Sequence, residues 1–161
     1  MSSVFTIGIS DMKIVKYDDS LVTYALGSCV GICLYDPAMK IGGLGHIMLP
    51  NFPLSNPKEN RNRFADTCIP DMIQQMERLG CSRRRIIAKI AGGAKMFDVA
   101  GDSSFGNIGQ RNIASVKNSL AQRQIRICAE DTGLNYGRTV YFYTEDGRMV
   151  VKSFSKGVKT F

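Results

Sequence analysis

The 161 residues carry 21 Lys and Arg against 14 Asp and Glu, for a formal net charge of +7, with five cysteines and one histidine. That length suits one domain, residues 1–161, with its own hydrophobic core. No run of about 18 apolar residues exists to span a bilayer and MSSVFTIGIS is not a signal peptide, so a soluble cytoplasmic protein is expected.

The first fifty residues form short apolar or alternating segments, VFTIGI, KIVKY, LVTYAL, VGICLY and GGLGHIML, separated by turn signals such as Asp18-Asp19-Ser20 and Asp36-Pro37. This half reads as β-structure. NFPLSNPKENRN, residues 51–62, is rich in Pro, Asn and charge and reads as an exposed loop. From Phe64 to Leu79, Phe64, Cys68, Met72, Met76 and Leu79 recur at helical spacing, and Gly80 supplies the stop. Pro70 belongs in the first turn of that helix, after Asp66 or Thr67, or else kinks it.

Arg83, Arg84 and Arg85 read as a solvated turn before the strand RIIAKIA. No aromatics interleave with them as in single-strand nucleic-acid binders, so an acidic protein surface is the expected partner of the excess charge, and nucleic acid is not. Gly92-Gly93-Ala94 lacks the G-x-x-x-x-G-K-[ST] pattern of a phosphate loop and reads as close packing beside a cleft. A second helix is predicted from about Ile108 to Arg123, followed by strands in IRICAE, RTVYFY and RMVVKSF, with Asp146-Gly147 as a hairpin turn. Strands, then helices, then strands predict an α+β fold of layered mixed or antiparallel sheets with helices on the outer faces.

An odd number of cysteines without an export signal implies reduced thiols. Cys33, Cys68, Cys81 and Cys128 read as small core residues. One histidine and no C-x-x-C pair leave no metal site. Thiols attack as thiolates, and an imidazole is the usual base near neutrality, so cysteine chemistry in this chain has His46 as its one candidate base. Cys29, in the glycine-flanked run ALGSCVG, is the candidate nucleophile, beside a strand bend expected at Gly27 where backbone N–H groups can serve as oxyanion donors. Thr23, upstream on the same strand, is either an ordinary β-branched strand residue or one that orients the imidazole; Ser28 is read as acting through its backbone, and Gly43 as leaving room for substrate beside the base, with a simple turn at Gly42 and Gly43 as the other reading. Phe105, in GDSSFGNIG and close to Arg111, is a candidate anchor for an acidic amphipathic helix, or else a core residue.

The combination of T-x-x-L-G-S-C-V-G-x-x-L-Y-D from Thr23 to Asp36, G-x-x-H-x-M-L-P from Gly43 to Pro50, F-A-D-T from Phe64 to Thr67, A-G-G-A from Ala91 to Ala94, I-G-x-R-N from Ile108 to Asn112 and E-D-T-G-x-x-x-G-R from Glu130 to Arg138 resembles the CheD family of chemoreceptor glutamine deamidases. The resemblance spans nearly the whole chain. It implies Cys29 as nucleophile, His46 as base, Thr23 as the third member of the site, no cofactor, and a fold similar to toxin-type cysteine deamidases. It also implies two protein partners, the cytoplasmic helical hairpin of chemoreceptors and a CheC-type response-regulator phosphatase. The family's pattern often has a second glycine where this chain has Leu134. Related chemistry at the same site would be methylesterase or transglutaminase activity, and a reading of a different class is a non-catalytic adaptor that regulates the phosphatase.

Overall fold

The computed structural model describes residues 2–96 and 107–161. Its strands are β1 (Val4–Thr6), β2 (Asp11–Lys16), β3 (Ser20–Leu26), β4 (Val30–Asp36), β5 (Ile41–Ile47), β6 (Ile87–Gly92), β7 (Arg126–Thr132), β8 (Arg138–Tyr143), β9 (Met149–Ser153) and β10 (Gly157–Thr160). The helices are α1 (Ala65–Arg78) and α2 (Ile108–Gln122). One five-stranded sheet has the order β1-β3-β8-β9-β10 and the other β2-β5-β4-β6-β7. Both are mixed, because β1 runs parallel to β3 and β7 parallel to β6 while their other pairs are antiparallel. The architecture is layered α+β.

Two cores divide the layers. Leu21, Leu26, Cys33, Leu44, Val140, Phe142 and Val151 fill the space between the sheets. Val30, Ile32, Leu34, Ile47 and Ile90 face the other way, onto Cys68, Ile69, Met72 and Met76 of α1 and Val116 and Leu120 of α2. Every residue of β4 and β5 is therefore buried, which is why both strands read as continuous apolar runs rather than alternating ones.

The glycines of β5 follow from this double burial. A Cβ at Gly45 would lie 2.9 Å from Met72 Sδ and 3.0 Å from Cys68 Sγ, and one at Gly43 would meet Ile14 Cδ1 and stand 2.9 Å from the Lys13 carbonyl. On the opposite face, a Cβ at Gly42 would lie 2.6 Å from the Leu34 carbonyl and 2.7 Å from two ring carbons of Phe142. Neither the substrate space nor the simple turn expected at Gly42 and Gly43 is present: α1 and Phe142 occupy the room those side chains would take.

Four other local expectations change. The helix starts at Ala65, one residue after an extended Phe64, so Pro70 stands in its interior; the carbonyl left without a donor belongs to Asp66, an exposed residue. Arg85 is more than a solvated turn residue, since its Nε lies 3.0 Å from Oδ1 and its Nη2 3.0 Å from Oδ2 of the buried Asp36 carboxylate. Cys128 is exposed, because the β6–β7 register passes from Ala88↔Ile127 to Lys89↔Ala129 and leaves Cys128 as the unpaired residue of a bulge. β10, exposed at all four positions, carries too little apolar pattern to be read as a strand.

Gly42→Ala is expected to lower unfolding free energy by about 1–3 kcal/mol, because the contacts it creates are with a backbone carbonyl and a core ring that cannot both move aside. Urea denaturation checks it: the midpoint should fall at unchanged slope.

Candidate active site

The two sheets bring Thr23 and His46 together. Thr23, on β3, and His46, on β5, both point into the space between the sheets, where neither has exposed surface. Thr23 Oγ1 lies 2.7 Å from His46 Nδ1 and donates to the Ile7 carbonyl at 3.0 Å. A carbonyl only accepts, so the single hydroxyl proton is committed to Ile7, and Nδ1–H of the imidazole must be the donor to Thr23. This assigns the tautomer and leaves Nε2 with its lone pair available. Among the described residues Nε2 has no hydrogen-bond partner. Burial pushes the His46 pKa down to about 4, so the ring is neutral at neutral pH.

Cys29 reaches the same face by a different route. β3 is regular to Thr23, which pairs with Val140, but the next pair is Leu26 with Arg138, so β3 holds one extra residue there. Ala25 takes up the excess with φ of 60°. The bend is thus a bulge at Tyr24–Ala25 rather than at Gly27, and it turns the chain out of the sheet just after Thr23. Gly27, Ser28 and Cys29 cross over to β4. In the β4–β5 ladder Gly31 stands opposite His46, and Cys29 precedes Gly31 by two residues, which makes it a diagonal neighbour of the histidine on the same face. The residue between them in that row has no side chain.

The crossover is latched from below. Gly93 N–H donates to the Cys29 carbonyl at 2.8 Å and Ala94 N–H to the Gly27 carbonyl at 2.9 Å. Gly92 and Gly93 have φ of 115° and 69°, and a Cβ at Gly92 would collide with the Cys29 carbonyl, so two glycines are required here. The close packing expected of Gly92-Gly93-Ala94 is present. Arg138, buried beside them, sits 3.5 Å from the Asp131 carboxylate, 3.5 Å from the Gly92 carbonyl and over the Tyr136 ring at 4.1 Å.

Cys29 is half-buried, and burial raises its pKa, opposed by its own amide N–H directed at the sulfur. With its pKa raised above the ordinary thiol value, Cys29 rests as a thiol near neutral pH. Burial also lifts the Cys68 thiol to about 12 and the Cys81 thiol to about 11, and raises Cys33 further. Cys29 is therefore half-buried on the face that His46 occupies, while Cys33, Cys68 and Cys81 are buried away from solvent.

Other expected site residues fall as follows. Gly27 lies under Met96, whose Cγ would be 3.2 Å from a Cβ there. Ser28 contributes its backbone carbonyl, which accepts from Asn112. Gly43 lies on the helix-facing side of β5, away from His46, as the contacts of its position with Ile14 and Met72 require. Phe105 lies outside the described residues. Leu134, exposed at the turn after β7, has φ of 61°, the conformation in which glycine is favoured. The Ala25 bulge and the Ile7 carbonyl were not read from the sequence; neither leaves a side-chain signal. Among the described residues no three His, Cys, Asp or Glu side chains converge as metal ligands, and no helix is long and apolar enough to cross a membrane.

A family model described as CheD chemotactic sensory transduction matches residues 48–153, which hold α1, β6, α2 and β7 to β9. A protein of Caldanaerobacter subterraneus subsp. tengcongensis named probable chemoreceptor glutamine deamidase CheD is 48% identical over 158 residues, 98% of each chain. One of Syntrophomonas wolfei with the same name is 44% identical over 157 residues, again 98% of each. A Geobacter metallireducens protein, probable chemoreceptor glutamine deamidase CheD 2, is 40% identical over 161 residues and 99% of each. These relatives extend the likeness over nearly the whole chain.

The buried histidine has a pH signature. Its pKa is depressed on folding from an ordinary value of 6.5 to about 4, so between these values the unfolded chain binds a proton that the folded one refuses. Its contribution to stability is complete above 6.5 and lost as pH falls toward 4. His46→Gln should reduce the loss of stability between pH 7 and pH 4.5 by about 2–3 kcal/mol, measured by urea unfolding at the two pH values.

Proposed function

The chain belongs to the CheD family, and from that premise we propose that it is a cysteine hydrolase that converts glutamine side chains of chemoreceptors to glutamate. The observation that carries the reading is the Thr23–His46 hydrogen bond of 2.7 Å, with the Ile7 carbonyl behind it, which presents an unprotonated Nε2 on the face shared with Cys29. His46 Nε2 takes the thiol proton as the sulfur attacks the carboxamide carbon. The oxygen of the tetrahedral intermediate is met by backbone N–H of the crossover, Cys29's own amide foremost. Ammonia leaves with the proton returned from the imidazolium, and a thioester remains. His46 then draws a proton from water, whose oxygen attacks the thioester carbon, releasing glutamate and restoring the thiol. Net, one amide and one water give one carboxylate and ammonia.

Because both partners rest neutral, the proton moves only as the sulfur attacks, and an idle thiol is held in a form that alkylates and oxidises slowly. The substrate on this reading is the helical cytoplasmic hairpin of a receptor, and the site of action is the cytoplasm. A CheC-type phosphatase presenting a similar helical face is the regulatory partner. A methyl ester at the same carbonyl would follow the same path. An amine in place of water would give crosslinking, and a pure adaptor would use none of these steps.

Receptor cytoplasmic fragments incubated with the protein and mapped by mass spectrometry decide among these readings. Cys29→Ala should abolish conversion of glutamine to glutamate without unfolding the chain, and His46→Ala should slow it about 10²–10⁴-fold. Thr23→Ser should keep most activity and Thr23→Val lose more, though less than His46→Ala. Unchanged turnover in Cys29→Ala would sink the thiol mechanism. The base is neutral above about pH 4, so the acid limb of kcat/KM is expected well below the 6.5 of an ordinary histidine.

A further inference from the structure

The inner face of α2 includes Gly109, Asn112, Val116, Ser119 and Leu120, all buried. A side-chain amide in such a place is costly unless its protons are taken. Both are. Asn112 Nδ2 lies 2.9 Å from the Ser28 carbonyl and 2.8 Å from the Met48 carbonyl, and Asn112 has no exposed surface. Two backbone carbonyls can only accept, so the nitrogen rather than the oxygen of the amide must face them.

The two carbonyls flank the two reacting groups. Ser28 immediately precedes Cys29, and Met48 follows His46 by two residues. The last backbone pair of the β4–β5 ladder is Val30 with Ile47. One step beyond it the strands no longer pair, and the Asn112 amide bridges them where the next rung would be. The rest of α2 braces the same region. Ser115 Oγ donates to the Pro50 carbonyl at 2.7 Å, and Gly109 packs so closely on Gly93 and Ala94 that a Cβ would lie 2.6 Å and 2.5 Å from their carbonyl oxygens.

We propose that Asn112 is a positioning residue for the reaction, holding the Cys29 crossover and the end of β5 at the separation that lets Nε2 of His46 take the thiol proton. The inference rests on the roles given above to Cys29 and His46. Asn112 touches neither sulfur nor imidazole and acts through the backbone on either side of them. Losing its two donors releases the strand ends without removing nucleophile or base, so turnover falls while substrate binding changes little; a displacement of about 1 Å in such a pair can cost about 10²-fold in rate.

The other cysteines make the test self-controlled. Cys33, Cys68 and Cys81 are buried and report unfolding, and Cys128 is exposed and reports a free thiol. Peptide-resolved iodoacetamide labelling is followed from pH 5 to 10 on the full chain carrying Asn112→Asp, which keeps the shape but loses the donors, and Asn112→Ala, which buries no charge. Steady-state turnover on receptor fragments is measured alongside. The expected result is a kcat at least about tenfold lower with KM within about threefold, and a Cys29 labelling profile that moves toward that of Cys128 while the three buried thiols stay protected. Two outcomes overturn the proposal: a Cys29 profile and kcat within about twofold of wild type, or exposure of the three buried thiols in step with Cys29 in both variants, which would make Asn112 a residue of general stability. If wild-type protein leaves receptor glutamines untouched but the Cys29 profile still moves, the deamidase reading fails and the tether stands.

Discussion

One hydrogen bond, from His46 Nδ1–H to Thr23 Oγ1 at 2.7 Å, joins the two sheets at the point where the chemistry is organised. It lies among Leu21, Leu26, Leu44 and Val140 in an apolar layer, where an unmade polar contact is expensive and a made one is correspondingly directional. The bond can form only if β3 and β5 face each other in one register, and it has its right polarity only because the threonine proton is already committed to Ile7. Sheet packing and histidine tautomer are therefore settled together. The same burial keeps the ring neutral, which a base requires, and makes the fold sensitive to acid.

Cys29, the proposed nucleophile, is held by a different principle. It stands outside regular structure, on a crossover that begins with a bulge in one sheet and ends at the first residue of a strand in the other. Such a segment has few ladder bonds of its own. Its carbonyls are taken instead by the N–H groups of Gly93 and Ala94 and by the amide of Asn112, so that β6 and α2 both define where Cys29 sits. A rigid imidazole and a latched thiol on the same face suit the proposed reaction, in which proton transfer waits for the substrate.

Outside this centre the positive charge is dispersed. Arg85 is committed to Asp36, and Lys152 and Arg148 lie over Tyr141 and Tyr143 at 4.5 Å and 4.0 Å from the ring centroids. These cations cover aromatic surface as well as contributing to the protein's field.

The sequence by itself determined most of the elements and singled out the candidate reacting groups. Apolar periodicity marked α1 and α2, continuous apolar runs marked the doubly buried β4, and the count of one histidine left His46 as the one candidate base. The resemblance to the family implied the pairing of Cys29 and Thr23 with it. What only the tertiary structure decided are the relations between residues distant in the chain. The glycines of β5 look like a ligand approach in sequence and prove to be room for Met72, Cys68 and Phe142, because nothing local says which face a helix will cover. Cys128 reads as core and is exposed, because a bulge depends on the register of its partner strand. The bend belongs to Ala25 rather than Gly27, the tautomer depends on a carbonyl 16 residues from Thr23, and Asn112 reaches a carbonyl 84 residues away. Side-chain pattern encodes what each segment prefers, whereas backbone carbonyls carry no sequence signal, and in this site it is largely carbonyls that hold the reacting groups in place.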